Sequence, residues 1–238
     1  KQGYFEFDYV NDKIVDDSIR WVEDKSGYIK IYEEPQKGFP YVGGGDTSGD
    51  GSDWNTGAFT NNVTETDVAF LKINFDEDLY ARQMYCLGRY YNFALLGIET
   101  NFSTHPVKEL QRLGYPNQYV REETPDAFTG RLTKKFGFNT NKLTRPVALG
   151  MLRTVMREYP ERVKDLDTLN EMTTFVKNEK GKPEAASGFH DDCIMARAIN
   201  CYIASQQLDH PKIDADERPK KLAEKLGIKK FRNGVFVS

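Results

Sequence analysis

The segment that decides the fold is FPYVGGGDTSGDGSDW, residues 39–54. A short apolar run enters three glycines and then a polar, glycine-rich stretch, a pattern that predicts a strand ending at or near Asp46. Two further strands are predicted over residues 54–61 and 68–73, and an earlier one over residues 28–33. These segments predict an antiparallel meander that leaves the Asp46 carboxyl at a strand end.

Strands and helices alternate in the sequence after this meander. Asp76 is typical of the residue that caps a helix N-terminus, and the apolar run at residues 93–98 predicts a buried strand followed directly by Glu99. Ser103 or Thr104 would cap a short helix that Gly114 ends.

Two longer helices are predicted downstream, over residues 142–159 and residues 187–206. Another strand is predicted over residues 171–177. A meander followed by alternating strands and helices predicts an α/β fold with a mixed sheet.

The chain length bounds the domain organisation. With 238 residues, 39% of them hydrophobic, the chain can bury one core and a small appendage. We assign residues 1–210 to the core domain, with 1–36 as a lead-in, and residues 211–238 to a basic C-terminal tail.

Apolar runs fall far short of the roughly 20 residues of a membrane helix, so no membrane partner is expected. The three cysteines lack CxxC spacing, which disfavours a zinc site and fits a reducing cytoplasm.

Basic residues are concentrated in one stretch although the formal net charge is −3. Residues 129–157 contain seven basic residues and no acidic one. Such a stretch favours contacts with nucleic-acid phosphates, and an ordinary solvated face is the alternative. The basic residues are Arg131, Lys134, Lys135, Lys142, Arg145, Arg153 and Arg157, of which the first five are the predicted DNA contacts.

Four carboxylates stand at the predicted ends of elements: Asp46, Glu99, Asp191 and Asp192. A carboxylate beside an apolar strand end needs a cation, hydrogen bonds or water. Oxygen ligands favour Mg²⁺ or Mn²⁺ over zinc, and two such ions about 4 Å apart can hold the attacking water and the leaving oxygen of a phosphodiester. Each acid taken singly also fits a turn or a helix N-terminus, so spacing alone leaves both interpretations open.

Five segments occur in the order expected of one family. They are YVGGGDTSGDGSDW, LLGIETN, NKLTRP, EMTTFV and GFHDDCIMARAI. Over residues 28–202 the sequence resembles the C-terminal nuclease domain of the viral, tailed-bacteriophage terminase large subunit, of the ribonuclease-H-like superfamily. The last segment, with His190 and the Asp191/Asp192 pair, is the most specific part of this resemblance.

This resemblance implies a ribonuclease-H-like mixed sheet, antiparallel meander first, with helices on both faces. It implies a metal-dependent endonuclease that cuts concatemeric double-stranded viral DNA during genome packaging, with two Mg²⁺ or Mn²⁺ ions and water as the nucleophile. The family's metal ligands fall on Asp46, Glu99 and the Asp191/Asp192 pair, with the closer ligand of that pair left open. Asp53 becomes an outer ligand, and His190 a donor or phosphate contact behind the acids.

The resemblance also implies partners. In the full-length context these are an ATPase motor domain, a portal protein and a small terminase subunit, in the cytoplasm of an infected bacterial host. No GxxxxGK[ST] motif is present, so no ATP site is expected here, and residues 1–36 are interpreted as a lead-in from an ATPase domain. The triple glycine before Asp46 departs from the family's bulkier strand residues, and would loosen the strand or admit DNA. Residues 115–141 would form a hairpin over the site.

Two alternatives remain from the sequence. A junction resolvase or integrase-like nuclease of the same fold would share the acids but act on branched DNA or join strands. A non-catalytic DNA-clamping or portal-docking module would keep the fold without needing metal.

Overall fold

The structure is a computed structural model that describes residues 1–47, 54–125, 132–179, 181–207, 230–232 and 235–237. The chain forms two compact units, residues 1–207 and residues 208–238. The strands are β1 (Gln2–Glu6), β2 (Tyr9–Val10), β3 (Lys13–Ile14), β4 (Arg20–Glu23), β5 (Ile29–Ile31), β6 (Tyr41–Asp46), β7 (Asn55–Asn61), β8 (Asp67–Ile73), β9 (Leu95–Ile98), β10 (Val120–Pro125), β11 (Leu132–Phe136), β12 (Phe175–Lys177), β13 (Pro183–Ala185), β14 (Lys230–Arg232) and β15 (Val235–Val237). The α-helices are α1 (Glu77–Tyr90), α2 (His105–Leu113), α3 (Thr144–Glu158), α4 (Leu166–Thr173) and α5 (Asp192–Ile203).

One central sheet organises the first unit. Its described strands run in the order β4-β1-β5-β8-β7-β6-β9. Strands β6, β7 and β8 pair antiparallel, and β9 pairs parallel with β6. The predicted mixed sheet and its meander are therefore confirmed. Residues 1–36, interpreted as a lead-in, supply β1, β4 and β5, of which only β5 was predicted.

Helices pack on both faces of this sheet, as predicted. On one face, Tyr80, Met84 and Leu87 of α1 are fully buried in a core shared with α2. On the other face, Ile194 and Ile199 of α5 pack with α3 in a second core. Each such buried side chain contributes about 1.5–3 kcal/mol to folding.

Gly44 of β6 allows helix α5 to pack directly against the sheet. A Cβ on Gly44 would lie 2.3 Å from the backbone N of Asn200 and 2.4 Å from the carbonyl O of Ala196. The Asn200 side chain donates from Nδ2 to the carbonyl oxygens of Val42 and Ala58, at 2.8 and 3.0 Å. The strand is thus tied to the helix and fully buried, so the glycines neither loosen it nor admit DNA.

Two predicted element boundaries are wrong. Only Phe175–Lys177 of the strand expected over residues 171–177 is extended, because helix α4 continues to Thr173. The Asp165 side chain caps the start of α4 by accepting the Thr168 N–H at 2.7 Å. Helix α5 begins at Asp192 instead of residue 187. Gly188 has φ 83°, and Phe189 N donates to Ala186 O in a turn, so the preceding chain is not helical.

Local signals for other elements are confirmed. The Asp76 side chain accepts the Leu79 N–H at 2.8 Å and caps α1, and Gly114 ends α2 with φ 80°. The expected hairpin within residues 115–141 is present as β10 and β11, and its tip, residues 126–131, lies outside the described residues. None of the helices in the described ranges is long and apolar enough to cross a membrane.

Candidate active site

The four predicted acids line one open cavity of about 1040 Å³. Strands β6 and β9 are parallel neighbours, so their carboxyl ends, with Asp46 and Glu99, lie at the same sheet edge. The Glu99 N–H donates to Gly45 O at 2.9 Å and fixes this register. Asp191 and Asp192 enter from the start of α5.

Helix α5 is positioned by contacts at its N-terminus. The Thr56 hydroxyl of β7 donates to the Asp192 carbonyl at 2.9 Å. The Glu171 carboxylate of α4 accepts the N–H groups of Cys193 and Ile194 at 2.9 and 3.1 Å. A negative charge at a helix N-terminus is favourable, so Glu171 stabilises the end that presents the acids.

Asp46 and Glu99 form a buried acidic pair. Asp46 is 7% exposed and Glu99 4% exposed. Burial, hydrogen bonding with Glu99 and the charges of Glu99, Asp192 and Asp191 raise the pKa of Asp46 well above its ordinary value. Within the described chain no basic side chain forms a salt bridge with either member. Their mutual repulsion is relieved when Asp46 binds a proton or when a cation binds beside the two carboxylates.

Unlike Asp46 and Glu99, Asp191 forms a salt bridge with a basic side chain that the structure describes. Its Oδ2 accepts from Arg145 Nη2 at 2.6 Å, and Arg145 Nη1 also donates to Pro183 O at 2.6 Å. Burial is the largest influence on the Asp191 pKa and raises it, against the opposing charges of Arg145 and Lys182. The Asp192 side chain accepts the Trp54 N–H at 3.4 Å, so the two neighbouring acids face different partners.

The donor set fits hard divalent cations in type and number. Four carboxylates from three elements meet in one cavity, and oxygen donors are the ligands that Mg²⁺ and Mn²⁺ prefer. Thr47 and Thr140 also line the cavity, and within the described parts of the chain their buried hydroxyls have no hydrogen-bond partner. Among the described residues, no three acidic, histidine or cysteine side chains already converge on one point. Coordination of one ion by three of these side chains would therefore require them to move closer together.

The other predicted site residues divide into three groups. His190 is exposed, and its Nδ1 lies 4.0 Å from Asp192 Oδ2. Lys142 and Arg145 line the cavity, and Lys134 and Lys135 lie on β11, where Lys135 pairs with Glu122 at 2.8 Å. Asp53 and Arg131 lie outside the described residues.

Sequence reasoning missed several residues of the cavity. Lys182 and Glu184 reach it from the β12–β13 hairpin, and Asn101 and Phe102 from the segment after β9. The approach of the hairpin depends on long-range packing, and no local pattern marks its charged residues. Asn101 carried a signal, because it belongs to the LLGIETN segment.

Solved structures share this fold at low sequence identity. No family model and no curated protein matches the chain. The large terminase nuclease from thermophilic phage G20c, with bound magnesium, superposes with a TM-score of 0.58 at 16% identity, covering 75% of this chain and 89% of that one. Its cobalt-bound form gives 0.59 at 15% identity, covering 75% and 89%. The Thermus phage P74-26 large terminase nuclease domain gives 0.54 at 18% identity, covering 74% and 86%.

The chain has the fold of large terminase nucleases. The predicted ribonuclease-H-like α/β architecture is thereby confirmed. At such low identity the comparison establishes the fold alone, and a fold does not by itself imply a function.

Proposed function

We propose that this chain is a metal-dependent endonuclease that cuts concatemeric double-stranded viral DNA during genome packaging. The observation that carries the proposal is the meeting of four carboxylates in one cavity, two of which are buried and form no salt bridge with any basic side chain that the structure describes. Its fold, shared with terminase nucleases that include a magnesium-bound one, supports the same function.

In this proposal Asp46, Glu99, Asp191 and Asp192 hold two Mg²⁺ or Mn²⁺ ions. Bound divalent ions supply Lewis acidity and a water nucleophile at neutral pH. Hydrolysis would form one P–O bond to a water oxygen and break one P–O ester bond of the DNA backbone, which leaves one strand end as a phosphate monoester and the other as a hydroxyl that takes up a proton from the water.

Basic residues orient the substrate in the proposal. Lys142 and Arg145 line the cavity and reach the scissile phosphate, and Lys134 and Lys135 on β11 contact the flanking backbone. Arg131, which lies outside the described residues, is a further proposed DNA contact. Asp53 serves as an outer ligand. His190 donates to the acids or to a phosphate.

The proposed context is the packaging machinery of a tailed bacteriophage. There the nuclease domain, residues 1–210, works with an ATPase motor domain, a portal protein and a small terminase subunit. Residues 211–238 form the basic C-terminal tail. The reaction takes place in the cytoplasm of the infected bacterium.

The proposal is tested by nicking of supercoiled plasmid with Mn²⁺, Mg²⁺ or chelator, using the wild type, Asp46→Asn and Asp192→Asn. Both variants preserve side-chain shape, and Glu158→Gln, an exposed acid on α3, is the matched control. We expect metal-dependent nicking by wild type and control, and a loss of at least about 100-fold in both variants.

Other outcomes assign the chain to another class. Activity that persists in both variants would place the active site elsewhere. Preference for a four-way junction over linear duplex would favour a resolvase-like nuclease. DNA binding without metal-dependent nicking in any sample would favour a clamping module.

A further inference from the structure

Arg145 lies in the cavity among the acids and joins three elements. It belongs to the first turn of α3, pairs with Asp191 before α5, and donates to the carbonyl of Pro183 in β13. The side chains of Arg145 and Asp191 are 16% and 26% exposed, so the pair is largely shielded. Two distinct anchors hold the guanidinium in this position.

This ion pair conflicts with the proposed role of Asp191. Oδ2 of Asp191 is occupied by a guanidinium nitrogen at 2.6 Å, and a divalent ion on this carboxylate would face that positive charge at close range. A metal ion therefore competes with Arg145 for Asp191.

The charges that line the cavity suggest where the guanidinium goes. Among the described residues of the cavity, five are acidic and three basic, which gives an excess of two carboxyls. A phosphodiester is repelled by such a lining until cations neutralise it. A planar guanidinium can bind phosphate oxygens through two parallel hydrogen bonds, as it binds a carboxylate.

We propose that Arg145 is an exchangeable counter-ion, which neutralises Asp191 in the metal-free chain and transfers to the scissile phosphate when divalent ions bind. This inference rests on the proposed function and adds an order of events. Metal binds first, Arg145 is released, and the DNA phosphate binds to Arg145. The pair thus suppresses DNA binding in the cavity until metal is present.

The test uses Arg145→Met, which keeps an apolar stem of similar length and removes the charge. Arg153→Met is the matched control, since Arg153 is an exposed base two turns later on α3. Mn²⁺ affinity is measured by isothermal titration calorimetry, and duplex DNA affinity is measured with and without Ca²⁺. Thermal denaturation with chelator confirms that each variant is folded.

We expect Arg145→Met to bind Mn²⁺ about two- to fivefold tighter than wild type, the range for releasing a partly exposed ion pair. Its DNA affinity in the presence of Ca²⁺ falls about tenfold, from loss of a charge-assisted contact. Arg153→Met leaves Mn²⁺ affinity unchanged. Arg145→Lys, which retains the charge but not the planar fork, keeps wild-type Mn²⁺ affinity and loses part of the DNA affinity.

Each other result overturns part of this account. Unchanged or weaker Mn²⁺ binding by folded Arg145→Met, or tighter binding by Arg145→Lys, contradicts the competition. Unchanged DNA affinity contradicts the transfer to phosphate. Tighter Mn²⁺ binding by Arg145→Met in a chain that never cuts DNA would uphold the competition and refute the proposed function alone.

Discussion

The carboxyl groups of Asp46 and Glu99 contact one another at the ends of adjacent parallel strands, and both are more than nine-tenths buried. Burial and the neighbouring acids raise the pKa of Asp46. An aspartate whose pKa is higher in the folded than in the unfolded chain binds a proton more tightly when folded. This pair therefore links folding, pH and cation binding.

The first prediction concerns stability against pH in chelator. Proton binding to Asp46 stabilises the folded chain. This stabilisation is fully present below the unfolded pKa of Asp46, about 3.8, and is lost as pH rises through the raised folded pKa. The free energy of unfolding of wild type should fall across this window, and Asp46→Asn should flatten the profile. Urea denaturation between about pH 4 and 8 measures both.

Other buried acids do not obscure this result. The pKa values of Asp67 and Glu171 are also raised, but these groups titrate in both proteins, so the difference between the two profiles reports Asp46 together with Asp191, whose charge is coupled to it. Parallel profiles for wild type and Asp46→Asn would show that Asp46 is ionised in the folded chain.

The second prediction concerns metal addition. A ligand at 100 times its dissociation constant stabilises the folded state by about 2.7 kcal/mol, so Mn²⁺ should raise the melting temperature of wild type. The effect should grow with pH, because binding displaces the proton of the buried pair. Differential scanning calorimetry should show the rise in Glu158→Gln and not in Glu99→Gln. An equal rise in Glu99→Gln would place the metal site elsewhere.

The third prediction concerns the glycines of β6. Gly44→Ala should lower the free energy of unfolding by about 1–3 kcal/mol, because the new Cβ meets the backbone of α5 at 2.3–2.4 Å. Gly150→Ala in α3 meets nothing within 4 Å and should raise it by about 0.5–1 kcal/mol. If α5 packs on β6 as described, denaturant unfolding should show changes of opposite sign in the free energy of unfolding for the two variants. An unchanged free energy of unfolding in Gly44→Ala would refute that packing.

The fourth prediction concerns a buried ion pair behind the site. Arg197 of α5 donates from Nε to Asp67 Oδ1 of β8 at 2.7 Å, with side chains 2% and 4% exposed. Arg197→Met leaves a buried carboxylate unpaired and should cost about 3–5 kcal/mol.

The comparison variant is Arg162→Met, whose partner Glu65 is 58% exposed, so its cost should stay near or below about 1 kcal/mol. Equal losses in the free energy of unfolding of the two variants, measured by chemical denaturation, would mean that burial does not determine how much the Arg197–Asp67 ion pair contributes to stability.

Local sequence signals predicted most of the elements that position the acids. The apolar run before Asp46 and the run before Glu99 marked two strand ends, and the parallel pairing of β6 and β9 brought them together. The cap at Asp76 and the stop at Gly114 predicted two helix boundaries, because capping depends on residues close in sequence.

Long-range contacts account for what the sequence did not show. Asp191 and Arg145 are 46 positions apart, and Lys182 enters the cavity from another hairpin. The strand expected at residues 171–177 was mostly wrong, because capping by Asp165 overrides the β-branched residues Thr173 and Thr174. Strands β1 and β4 likewise join the central sheet through strand pairing that the local periodicity of apolar residues does not indicate.

The central claim is that Asp46, Glu99 and the Asp191/Asp192 pair hold divalent ions. The most direct test is anomalous diffraction at the manganese edge from crystals of the protein soaked in Mn²⁺. The account predicts anomalous peaks in the cavity, bonded to carboxylate oxygens of Asp46 and of at least one other member of the set, and absent from crystals of Asp46→Asn. Peaks bound only to other side chains, or a cavity without peaks in crystals that bind Mn²⁺ elsewhere, would contradict it.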